Sequence, residues 1–115
     1  MTDTIYNPKK EVYNTLSHLG YSCTQGNQSV FNQTPAITFY ISDNNPQYSL
    51  EKNIMGNFIE ITVDVWGDDS VTTSRVAQET EQAMRGIDYL LTYLADIPRP
   101  EGALYHIQMR FEGIK

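Results

Sequence analysis

A chain of 115 residues has room for one domain and one hydrophobic core. With 40% hydrophobic and 19% charged residues, it matches neither a disordered segment nor a membrane span. Fourteen Asp and Glu against eight Lys and Arg leave a net charge of -6, the wrong sign for neutralising phosphates, so tight nucleic-acid binding is not expected.

The opening Met1-Thr2-Asp3-Thr4-Ile5 lacks the basic-then-apolar pattern of a secretion signal, so the protein is expected to be made in the cytoplasm and to stay off membranes. The triplets Asn27-Gln28-Ser29 and Asn32-Gln33-Thr34 match the glycosylation pattern, which has meaning only in a secreted chain.

Asn7-Pro8 places a capping side chain before a proline at the first helical position, and Val12, Leu16 and Leu19 recur at helical spacing before Gly20. This predicts a first helix over residues 8–19. The polar stretch from Tyr21 to Thr34, broken only by Val30 and Phe31, reads as a loop in which Tyr21 to Thr24 could form a short strand. Pro35 then introduces a strand over Ala36 to Ser42, where Ile37, Phe39 and Ile41 alternate with Thr38, Tyr40 and Ser42.

Asp43-Asn44-Asn45-Pro46 is expected to end that strand. The segment onward to Asn57 has no clear period but carries Tyr48, Leu50, Ile54 and Met55, and long connections of this kind are often functional. Next comes the strongest strand pattern of the chain. Ile59, Ile61, Val63 and Val65 point one way and Glu60, Thr62, Asp64 and Trp66 the other, so a one-residue slip would turn carboxylates toward the core.

Gly67-Asp68-Asp69-Ser70 predicts a turn that caps a second helix over 71–85, with Val76, Ala77, Thr80, Ala83, Met84 and Ile87 on its apolar face and Gly86 as its stop. Asp88 to Ala95 suits either helix or strand, and the preceding glycine favours a strand. Residues 97–102 form a proline-rich turn, and Leu104 to Glu112 alternates as a last strand. The expected fold class is therefore α+β: a four-stranded mixed or antiparallel sheet with two helices packed on one face, in one domain spanning 1–115.

Little points to chemistry. Cys23 is the only cysteine and His18 and His106 are far apart, so no disulfide, zinc spacing or paired-histidine motif exists. Cys23 with a histidine could form a nucleophilic dyad, but a lone cysteine after a helix is more commonly a small core residue. Glu60, Asp64, His106 and Glu112 could meet on the open sheet face as an acid/base group; alternating polar residues that face water or a partner explain them more simply. No catalytic residue, metal or cofactor is expected. Eight tyrosines against four phenylalanines suit surfaces that are wet before assembly and dry after it. The candidate partner-binding residues are Tyr40 and Trp66 on the open face and Tyr48, Leu50, Ile54 and Met55 in the long connection.

The order of elements and several phrases resemble the tail-completion and tail-terminator proteins of long-tailed siphophages. These phrases are Leu19-Gly20 closing a short first helix, Pro35 leading into Ile37-Thr38-Phe39, and Ile61-Thr62-Val63-Asp64-Val65-Trp66 running into Asp69-Ser70. Met84-Arg85-Gly86 closes the second helix, and Tyr105-His106 to Arg110-Phe111 forms a final strand. The resemblance implies a non-catalytic neck protein of the virion, phage or prophage. It would assemble with itself as a ring of six copies on the finished tail tube, end tube growth, and present a surface to the head connector. An acidic balance suits a lumen through which DNA must pass without being held. The alternative is a small ferredoxin-like ligand-binding or regulatory domain with its ligand near Trp66 and Tyr40.

Overall fold

The computed structural model describes residues 5–26, 33–98 and 100–115. The opening residues 1–4, the two triplets that match the glycosylation pattern, in part or whole, Val30-Phe31 and Arg99 lie outside the described residues. In chain order the elements are α1 (Lys9–Ser17), β1 (Ser22–Gln25), β2 (Ala36–Tyr48), β3 (Ile54–Gly67), α2 (Ser70–Gly86), β4 (Leu90–Asp96) and β5 (Tyr105–Ile114). The strands form one mixed sheet in the order β1-β2-β3-β5-β4.

The fold class is α+β as expected, but the sheet has five strands where four were predicted. The additional strand is β1, which pairs in parallel with β2 from Ser22↔Ala36 to Gln25↔Phe39. A four-residue polar strand carries too little alternation to stand out from a loop, and only its neighbour supplies the ladder that defines it.

Apolar alternation sets the register of the central strands. Ile37 pairs with Val65, Phe39 with Val63, Val63 with Met109 and Val65 with Ile107, so these side chains share one face. Val12 and Leu16 of α1 and Val76, Ala77 and Met84 of α2 join them in a single buried cluster, which places both helices on that face. Each fully buried large aliphatic or aromatic side chain contributes about 1.5–3 kcal/mol.

The second helix begins as its capping residue dictates, whereas the first is shorter than predicted, Lys9–Ser17 against 8–19, with Pro8 in place of Asn7 at its N-cap. The Asn7 side chain accepts from the Lys9 amide at 3.1 Å, and α1 starts one position after Pro8. Asp69 caps α2, its carboxylate accepting from the Thr72 amide at 2.7 Å. That bond, together with the helix amides around it, holds the Asp69 carboxyl below the ordinary value of 3.8. A folded-state value below the unfolded one stabilises the helix at any pH above the ordinary value, and this support is lost as the pH falls through the depressed value. Asp69→Ala is thus expected to lower the urea midpoint at neutral pH, with the difference from wild type closing as the pH is taken down past the ordinary value of 3.8. A difference independent of pH would contradict this account.

The end of α2 departs from expectation. Gly86 remains helical, and Asp88 takes the left-handed conformation at φ 69°. The Asp88 amide bonds to the Arg85 carbonyl at 3.1 Å and the Tyr89 amide to the Met84 carbonyl at 3.0 Å, the paired bonds of a Schellman ending. Asparagine and aspartate tolerate this conformation, so glycine was not required. The turn then aims Tyr89 into the core, where it is fully buried.

Candidate interaction surface

The segment 43–57, expected to be a connection without regular structure, is instead an arm. β2 runs on through Pro46 to Tyr48, β3 starts at Ile54, and the two stay paired as far as Tyr48↔Ile54. Irregularities between Ile41 and Asp43 and between Gln47 and Tyr48 shift the side-chain phase, which explains why no steady alternation marks this stretch. β5 ends alongside Asn57, whose amide and carbonyl bond to Lys115 at 2.7 and 2.9 Å. Beyond that point the arm is two-stranded, and the molecule measures 55 × 25 × 23 Å.

The arm's turn is closed by its own backbone. The Ser49 amide bonds to the Asn53 carbonyl at 2.9 Å, the Lys52 amide to the Ser49 carbonyl at 2.9 Å, and the Asn53 amide to the Ser49 hydroxyl at 3.2 Å. Around this turn Leu50 is fully exposed, Tyr48 is 61% exposed and Met55 64%. Ile54 differs from the rest of the predicted set: it is only 5% exposed, so it supports the arm and does not present a contact.

On the sheet face away from the helices, the polar side chains are not uniformly wet as alternation suggested. Thr38, Thr62 and Asp64 are buried, Asp64 to 3% exposure. The cover comes from neighbours on the same face. His106 stacks on Trp66 with ring centroids 3.8 Å apart, its Nε2 lies 2.6 Å from Asp64 Oδ1, and Gln108 Nε2 donates to the same oxygen at 3.4 Å. Trp66 Nε1 donates to the Thr38 hydroxyl at 3.1 Å. Two of the four residues considered for acid/base chemistry therefore meet, Asp64 and His106, as partners across adjacent strands. Glu60 and Glu112 pair with each other in register farther along β3 and β5. Tyr40 is half-buried opposite Thr62, and Trp66 is half-buried by its stack.

Cys23 lies on β1 opposite Ile37 and packs against the core cluster. Burial pushes its thiol up to about 11 from the ordinary 9.0, which makes it a poor nucleophile at neutral pH. Its reaction with a disulfide reagent at pH 7.5 is expected to be roughly tenfold slower in the folded protein than in urea, because the loss of thiolate outweighs the greater nucleophilicity of a high-pKa thiol. Equal rates in both states would show that the thiol is not buried as described.

A second feature escaped the sequence. α2 packs over β3, β5 and the edge strand β4, and between α2 and β4 lies a groove of about 430 Å³. Ala77, Leu91, Leu94 and Ile107 form its apolar lining, and its charged lining residues are Glu81 and Asp96. Leu90, Tyr93 and Leu94 are exposed along the same strand. The available signal was the run Tyr89-Leu90-Leu91-Thr92-Tyr93-Leu94, which is apolar on both faces, unlike every alternating strand of the chain. A strand at a sheet edge with that pattern leaves apolar surface uncovered.

No protein-family model and no curated protein matches the chain. Among the described residues no helix is long and apolar enough to cross a membrane.

Proposed function

We propose that this protein is a structural subunit of a phage or prophage neck, one that forms a ring on the tail tube, ends tube growth and offers a surface to the head connector. The observation that carries this reading is the projecting arm: a preformed turn that holds Tyr48, Leu50 and Met55 in solvent, clear of the chain's own core. Isolated apolar side chains on a surface are ordinary, but three large ones around a hydrogen-bonded turn at the end of a projection are suited to insertion into another protein. The resemblance to tail-completion proteins supplies the identity of the assembly, and the net charge of -6 suits subunits lining a passage for DNA.

The competing reading, a ligand on the open sheet face, is less well supported because the polar groups there already serve one another. Asp64 accepts from His106 and Gln108, and the indole N–H is given to Thr38. Purified protein incubated with siphophage tail tubes decides the matter. Rings at tube ends, seen by electron microscopy, and a block to further tube growth are expected. A strict monomer in light scattering that never binds tube ends would end the proposal.

A further inference from the structure

We propose that the arm of one copy seats in the groove between α2 and β4 of a neighbouring copy, which would join subunits head to tail. This rests on the ring reading above and names the contact that would build it.

The arm and the groove of one molecule cannot meet. The near end of the groove, Leu91, is level with Phe111 and, through it, with Ile61 on β3. Ile61 stands seven residues from Ile54, about 23 Å of strand at 3.3 Å per residue, and the arm points away from it. The arm springs from the β2 side of the sheet, whereas the groove borders β4, the opposite edge. If one feature fills the other, the contact is between copies and uses different patches on each. Such a contact closes into a ring when the rotation between subunits permits, and otherwise extends as a filament.

Complementarity favours a second copy as the occupant. The tip presents apolar side chains and the groove has an apolar lining with a volume of about 430 Å³. Lys52, held at φ 66° in the turn, is the only lysine or arginine between Lys10 and Arg75, and the charged residues lining the groove are both acidic. Of these two, Glu81 already bridges Arg85 at 3.1 Å, which leaves Asp96 to receive Lys52. The tip is also pre-organised by its internal hydrogen bonds, so little ordering opposes docking. Strand addition along the arm is the less suitable mode, since Pro46 lacks a donor and two irregularities break the arm's line. The arm offers side chains at its tip more readily than backbone at its edge.

Disulfide trapping tests this directly. In a Cys23→Ala background, Leu50→Cys protein is mixed with Gln82→Cys protein and oxidised; both positions are exposed, so the fold should tolerate the changes. A 50–82 heterodimer is expected at a yield at least about tenfold above that of a Leu50→Cys and Lys10→Cys control. The double variant is expected to give a ladder of multimers, and a Leu50→Asp, Gln82→Cys copy should end that ladder, since it keeps the groove cysteine but has no tip cysteine. A 50–82 yield no higher than the control, or a predominance of 50–50 dimers, overturns the contact. The two proposals fail separately. Wild-type protein that caps tube ends without 50–82 trapping keeps the ring and removes this joint. Trapping without any tube binding keeps the joint and removes the neck assignment.

Discussion

Tyr89→Ala is expected to lower the free energy of unfolding by about 3–5 kcal/mol, as large-to-small changes at fully buried aromatics do. A domain of this kind has about 5–15 kcal/mol in total, so the variant should be marginal or unfolded at room temperature. Tyr89 is fully buried, and its ring lies so close over Gly113 that a Cβ there would stand 2.8 Å from Tyr89 Cδ1 and 2.9 Å from the Asp88 carbonyl oxygen. The Lys115 ammonium sits 4.6 Å from the ring centroid, and it also donates to the Ile87 carbonyl. One ring therefore ties the end of α2 to the end of β5, at the base of the arm.

The Tyr89 hydroxyl, by contrast, has no hydrogen-bond partner among the described residues. Burial first, and then the nearby Tyr6 and Glu11, push its ionisation far into the alkaline range, so it stays neutral. An unpaired buried hydroxyl is a liability of about 1–3 kcal/mol, so Tyr89→Phe is expected to be neutral or to stabilise by about 1 kcal/mol. Gly113→Ala is expected to cost about 1–3 kcal/mol by overpacking. Urea unfolding followed by circular dichroism measures all three. Tyr89→Phe losing as much as Tyr89→Ala would show that the hydroxyl, and not the ring, is what matters.

His106→Ala is expected to cost about 2–3 kcal/mol, because among the described residues it leaves a buried carboxylate with only the long bond from Gln108. Asp64→Asn should cost less, since an amide oxygen can still accept from the imidazole. A double-mutant cycle between the two positions should give a coupling of about 0.5–3 kcal/mol. The chain's single tryptophan reports the same event, since loss of the stacked imidazole wets the Trp66 ring and shifts its emission to the red. The experiment also separates two functions for this cluster. A pair that holds the sheet together destabilises the protein when broken, whereas a ligand or catalytic site kept under strain is commonly neutral or gains stability on removal. A stable His106→Ala protein would therefore revive the ligand-binding alternative.

How much of this was visible in advance follows from the range of the interactions involved. α2 and its Asp69 cap, and the apolar faces of β3 and β5, depend on side-chain spacing and on contacts within a few residues, which the sequence displays directly. The arm did not reveal itself, because two irregularities reset the alternation and Pro46 looked like a stop, although an edge strand tolerates proline. The predicted partner residues were divided only in three dimensions. Tyr48, Leu50 and Met55 reach solvent, Ile54 is buried beneath them, and Trp66 is occupied by His106.

By itself, then, the sequence determined the α+β class, which side chains of the central strands face the core, and the capped start of the second helix. Each of these is settled by periodicity and local hydrogen bonding. Tertiary structure alone decided that Asp64 is buried against His106, that β1 joins the sheet, and that the apolar strand β4 lies at an edge with a groove beside it. Those outcomes depend on which strands become neighbours, and neighbours distant in sequence leave no local mark on one another.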